Sequence, residues 1–202
     1  MKFKTLLLLF TLVAHFSFAQ NNIKVTKNFG TKNSEIQNLI DFENIIFERL
    51  NFEGKDLKGK RYTIILKEFT DGKLVNNSII FEEKENDYFK IQSNKESILF
   101  LLKIADGKLK TFIRTDRFGS KKSYFNLKSD SDEYALKDFF GSKTELNIDS
   151  KQETPILAVI TPTIHADGSA SYCEVVQSNI EPENLGEHFK IPHYFLITIQ
   201  FK

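Results

Sequence analysis

Three Asp-Gly pairs, Asp71-Gly72, Asp106-Gly107 and Asp167-Gly168, limit the fold of this 202-residue chain more than any other feature. Glycine accepts the positive φ that a tight hairpin demands, and Asp-Gly between alternating stretches is a strong hairpin signal. Tyr62, Ile64 and Leu66 alternate with Arg61, Thr63 and Lys67 before the first pair, and Leu74 to Phe81 follows it. Ile98 to Ile104 is apolar on both faces, which predicts a central strand, and Leu109 to Thr115 runs back. The third pair precedes Ser171 to Val176. Ser123 to Lys128 reads as a further short strand, and Phe195, Ile197, Ile199 and Phe201 as one apolar face of a closing strand. Eight to ten antiparallel strands joined by short turns predict a mostly β domain, an antiparallel β-sandwich or open barrel with one or two short helices.

Two other segments fit either period or break a strand. Ile46, Phe47 and Leu50 suit a helix, whereas Phe42, Ile46, Leu50 and Phe52 share one face of a strand; the β-branched and aromatic content favours the strand. In Ile156 to Ile164, Pro155 and Pro162 remove ladder donors, which predicts an edge or bulged strand. Helices are expected at 35–41, where Ser34 and Gln37 match a capping box, and at 132–140. Asp132 and Glu133 suit the start of the second helix, and Gly141 its left-handed exit.

The N-terminus has the layout of a secretory signal peptide. Lys2 and Lys4 precede the apolar run Leu6 to Ala14, and Ser17-Phe18-Ala19 carries small residues where a signal peptidase reads. The apolar run is far short of the roughly 20 residues that span a bilayer. The expected organisation is a signal peptide over 1–19, a flexible leader over 20–33 and a single β-rich domain over 34–202, located in the periplasm or secreted. Cys173 is the sole cysteine, so no internal disulfide is available and stability must come from the core; this thiol is expected to be buried.

Lys and Arg number 28 and Asp and Glu 27, with no long run of one sign, so no nucleic-acid partner is expected. No transmembrane segment remains after signal removal. An outer-membrane barrel is disfavoured because Arg61, Lys67, Lys103 and Arg114 would meet lipid or lumen.

Chemistry is sparsely marked. A third hairpin would let His165 and Asp167 converge with Cys173 or Glu174, but the spacing matches no standard zinc site, and no metal or other cofactor is assigned. No nucleophile elbow, Ser-x-x-Lys set or phosphate-binding glycine loop occurs, and no catalytic residue is assigned. Carboxylates such as Glu68, Glu82, Glu83 and Asp116 are available to a hydrolase, for which their separation is the test. Tyr124, Tyr172 and Tyr194 are the rings available to stack on a sugar. His165, Tyr172, His193 and Tyr194 are the candidate binding residues.

Leu57-Lys58-Gly59-Lys60-Arg61-Tyr62-Thr63, the Asp71-Gly72-Lys73 turn and Ile191-Pro192-His193-Tyr194-Phe195 resemble a family of uncharacterised secreted bacterial proteins of about 200 residues. That family has no assigned activity, so the resemblance implies export and one domain and transfers no functional residue. The expected function is a non-enzymatic binding or accessory module of the bacterial envelope, with a protein, peptide or polysaccharide partner. The alternative is a secreted hydrolase of envelope or nutrient polymers with carboxylates in a cleft.

Overall fold

The computed structural model describes residues 22–82, 86–172, 175 and 180–202. In chain order the elements are β1 (Asn22–Phe29), α1 (Ser34–Phe42), β2 (Ile45–Glu53), β3 (Tyr62–Thr70), β4 (Lys73–Glu82), β5 (Lys95–Ala105) and β6 (Lys108–Arg114). There follow β7 (Ser123–Asn126), β8 (Ala135–Asp138), β9 (Leu146–Asp149), β10 (Thr154–Ile160), β11 (Thr163–Ile164), β12 (Ala170–Ser171), α2 (Leu185–Phe189) and β13 (His193–Phe201). The strands form two antiparallel open sheets, β7-β6-β5-β2-β1-β9 and β4-β3-β13-β10-β8, with β11-β12 as a small separate hairpin. Neither sheet closes into a barrel.

The sheets face each other over one apolar interior. Leu50, Phe52, Ile98, Phe100 and Leu102 from the first sheet meet Ile64, Leu66, Phe195, Ile197 and Ile199 from the second. Successive strand residues point to opposite faces, so the other side of β13 needs its own cover. It gets one: Tyr194 and Leu196 pack with Phe69, Ile160, Leu185 and Phe189 in a second cluster built around α2. Thus β13 is buried on both faces, where the sequence pattern predicted one. Gly186 of α2 permits that cover, because a Cβ there would lie 2.8 Å from the Tyr194 ring and 2.9 Å from the Gly72 Cα.

The first two Asp-Gly pairs turn as the sequence predicts. Asp71 and Gly72, then Asp106 and Gly107, all have positive φ, as a two-residue hairpin turn requires. In the third, only Gly168 has positive φ, while the Asp167 carboxylate accepts from the Ser169 amide at 2.9 Å. β12 stops at Ser171, short of the expected strand to Val176. Cys173 and the rest of that segment apart from Val175 lie outside the described residues, as do residues 1–21 with the signal-peptide assignment.

Three expectations are corrected and a fourth is narrowed. Residues 22–29, assigned to a flexible leader, form β1, held between β2 and β9. Ile23 and Val25 enter the core, and two apolar residues at period 2 are enough once both neighbours are present. The helix expected over 132–140 is a single 3-10 turn at Ser131–Glu133 followed by β8. Asp130 accepts from the Asp132 amide as a cap should, but pairing of Ala135–Asp138 with Leu157–Ile160 outweighs further helix growth. Of the two alternatives for β10, the bulged strand holds and the edge does not: β13 and β8 flank it, and its register shifts between Pro155 and Leu157. α1 forms where predicted, but its cap is Asn33, whose side chain accepts from the Glu35 and Ile36 amides. Gln37 accepts from the Thr31 amide at 2.9 Å rather than returning to the cap.

Candidate functional site

On the core-facing parity, β1 runs Ile23, Val25, Lys27 and Phe29, of which only the first two are buried, and β2 runs Ile46, Glu48, Leu50 and Phe52. The core is apolar for half of each strand and then admits charge. Glu48 lies opposite Phe29 on one side and Phe100 on the other. There the second sheet ends in the four-residue strand β8, and a cleft of about 490 Å³ lies between β8 and the inner face of the first sheet. Ile46, Ile104 and Leu136 give it aliphatic walls, with Lys27, Asp138 and the Tyr134 ring beside them.

Glu48 is the unusual group in this cleft. It is only 3% exposed. Its Oε1 is buried and accepts no hydrogen bond. Burial pushes its carboxyl up to about 7; the Lys27 ammonium opposes the rise and the Asp138 carboxylate adds to it. Lys27 is itself engaged: it pairs with Asp138 and sits 5.0 Å from the Phe140 ring centroid. Asn44, held at a φ of 49°, donates from its side chain to the Ile104 carbonyl at 3.1 Å and closes the end of the cleft. A buried carboxyl lacking a donor is costly unless something supplies one.

A second polar group lies behind the cleft wall. The Tyr134 hydroxyl accepts from the amides of Lys128 (3.1 Å) and Ser129 (3.3 Å). Its one proton is therefore directed to His193 Nδ1, 2.5 Å away. That leaves the imidazole proton on Nε2, which donates to Glu68 at 3.2 Å. Burial holds the His193 pKa below the usual imidazole value, against the pull of Glu68. With His193 0% exposed and both its ring nitrogens partnered, this carboxylate–imidazole–phenol chain is a structural brace. Tyr134→Phe would strip two amides and the imidazole of their partner, and chemical denaturation at pH 7 is expected to show a loss of about 1–3 kcal/mol. A loss below about 0.5 kcal/mol would mean that the hydroxyl is not their partner.

The sequence-derived candidates do not share one site. His193 and Tyr194 are neighbours on β13 and point to opposite sides; both are 0% exposed, against the expectation of an accessible tyrosine. Tyr194 donates to the Glu183 carbonyl at 2.9 Å, and burial raises its phenol well above the ordinary value. His165 Nε2 lies 2.9 Å from the Ser171 hydroxyl across the β11-β12 hairpin. Tyr172 donates to the Glu133 carbonyl at 2.8 Å, under the Lys137 ammonium. Tyr124, also among the rings available to a sugar, is 58% exposed.

A larger groove of about 640 Å³ collects Glu53, Glu96, Asp116, Arg117 and Lys24. Burial raises the Glu96 carboxyl, but Tyr62 already donates to it at 3.3 Å. Arg117 spends its guanidinium on the carbonyls of Tyr88 (2.6 Å) and Lys90 (2.7 Å). These two groups have their partners inside the protein, so the larger groove makes less demand for a ligand than the smaller cleft.

Sequence reasoning missed Glu48. The signal was present as a gap: Phe42, Ile46, Leu50 and Phe52 keep one parity, and a carboxylate occupies the position between Ile46 and Leu50. Comparison with known proteins adds no assignment: no family model, no curated protein and no solved structure matches this chain.

Proposed function

We propose that this protein is an exported, non-enzymatic binding module of the bacterial envelope, and that its ligand enters the cleft at the end of the sandwich. The observation that carries this reading is the buried, unpartnered Oε1 of Glu48. A concave site with aliphatic and aromatic walls, converging polar groups and a titration-shifted acid has the make-up of a binding pocket. The leader-like N-terminus supports an envelope location.

The hydrolase reading keeps one supporting observation, the shared groove of Glu53, Glu96 and Asp116. One experiment separates the two. Backbone amide NMR is recorded while the protein is titrated with a panel of blocked tripeptides and soluble chito- and cello-oligosaccharides. Saturable shifts at Ile104, Ala135 and Leu136 without turnover are the expected result. Oligosaccharide cleavage with shifts at Ser97 and Thr115 would establish the hydrolase instead. Silence at both places with every probe would overturn the binding module.

A further inference from the structure

We infer that the group received by the cleft is the side-chain ammonium of a lysine on a partner polypeptide, held by Glu48 beside the apolar walls of the cleft. This rests on the cleft being the binding site and names what it binds.

Charge selects the sign of the ligand. The charged groups facing Glu48 are Lys27 from β1 and Asp138 from β8, while β5 contributes Phe100 and Ile104, which carry none. Tyr134 presents its ring, since its hydroxyl is committed to His193. With Glu48 ionised, two carboxylates stand against one ammonium, and that ammonium is already paired with Asp138. The excess is one negative charge, and it belongs to the carboxylate whose Oε1 has no donor. An incoming cation gains a charge-assisted hydrogen bond; an incoming anion meets like charge.

Shape selects the rest. Ile46, Ile104 and Leu136 line the approach to Glu48, which suits a chain of methylenes better than a hydrated head group alone. A lysine has that stem and a compact terminal charge that the single unpartnered Oε1 can receive. Apolar side chains are also exposed at the cleft rim and on the preceding helix. Phe29 at the rim is 68% exposed, and α1, which leads directly to Asn44, leaves Ile36, Leu39 and Phe42 exposed, Phe42 to 84%. A small free amine would leave this surface uncovered. A polypeptide carrying the lysine between apolar residues would cover it.

The pH dependence has a definite sign. Glu48 must be ionised to accept from the ammonium, and its carboxyl titrates at about 7. The ionised fraction, and with it the affinity, rises about tenfold between pH 6 and pH 8. A ligand that accepts a proton from neutral Glu48, such as a carbonyl or carboxylate, would show the reverse. Burial holds the His193 pKa below the usual imidazole value, and the Glu48→Gln comparison separates the Glu48 titration from that of any other group.

The test uses three blocked tripeptides with lysine, norleucine or glutamate between two leucines, titrated into the full chain at pH 6 and pH 8 and followed at the Ile104 and Leu136 amides. The expected result is that the lysine peptide binds most tightly, that it gains about tenfold from pH 6 to pH 8, and that Glu48→Gln removes both the preference and the gain. If the norleucine or glutamate peptide binds the cleft better, or the lysine peptide tightens toward pH 6, the lysine assignment is overturned and the cleft remains a binding site for another group. If none of the three moves these amides, the lysine assignment falls, and the oligosaccharides decide the fate of the cleft itself. The wild-type pH comparison stands without the variant should Glu48→Gln fold poorly.

Discussion

Glu48→Gln is expected to be more stable than the wild type at pH 8 by about 3 kcal/mol more than at pH 4. The sign follows from linkage. The carboxyl ionises near 4.5 in the unfolded chain and at about 7 in the folded protein. Between these values the unfolded chain has released a proton that the folded protein still holds, so wild-type stability falls as pH rises. The contribution of the neutral acid is complete below about pH 4.5 and gone above about pH 7. The gap between 4.5 and about 7 corresponds to about 3 kcal/mol. Glutamine has nearly the same shape and does not titrate, so the difference between the two proteins isolates this one group from every other carboxylate. Urea denaturation of both at pH 4 and pH 8 measures it. Equal differences at the two pH values would show that Glu48 is solvated in the folded protein and would remove the basis for the cleft as a site.

Phe195→Ala is expected to cost about 3–5 kcal/mol, enough to unfold a marginal domain at 37 °C. Phe195 is fully buried near the middle of the second sheet, between β3 and β10. Its ring lies 4.8 Å from the His193 ring and 6.0 Å from that of Phe125 on the opposing sheet, centroid to centroid. Truncation removes the apolar contact and leaves a cavity that strands fixed on both sides cannot collapse to fill. The urea midpoint at pH 7 reads the effect. A cost below about 1.5 kcal/mol would mean that β13 is not the centre of the sheet.

The hairpins were legible because their information is local. Asp71-Gly72 and Asp106-Gly107 need a particular backbone shape, and the flanking alternation fixes which side faces inward. β8 was not legible because its strand state depends on β10, more than fifteen residues ahead in the chain, while Asp132 and Glu133 encode the same N-terminal preference in a 3-10 turn as in a helix. β1 was hidden for a similar reason: Asn22, Lys24, Thr26 and Asn28 look like a solvated tail until β2 and β9 stand on either side. The site fared worst. His193 and Tyr194 attracted notice by residue type, and the fold spends both on internal hydrogen bonds. Glu48 drew none, because a glutamate in an ambiguous stretch is unremarkable until Leu50 and Phe52 are known to point into the core with it.

The position of β13 governs how this chain must assemble. Residues 193–201 separate residues 62–70 from residues 154–160, and Tyr62 pairs with Phe201 across most of the domain. While synthesis is still short of this stretch, β3-β4 and β8-β10 are two ribbons, each with a bare edge, and neither can be paired by the other at the final spacing. Closing so long a loop is slow. During that interval the exposed rows of Ile64, Leu66, Leu157 and Val159 are what a folding chaperone would have to shield, and the arrival of one nine-residue segment ends that need.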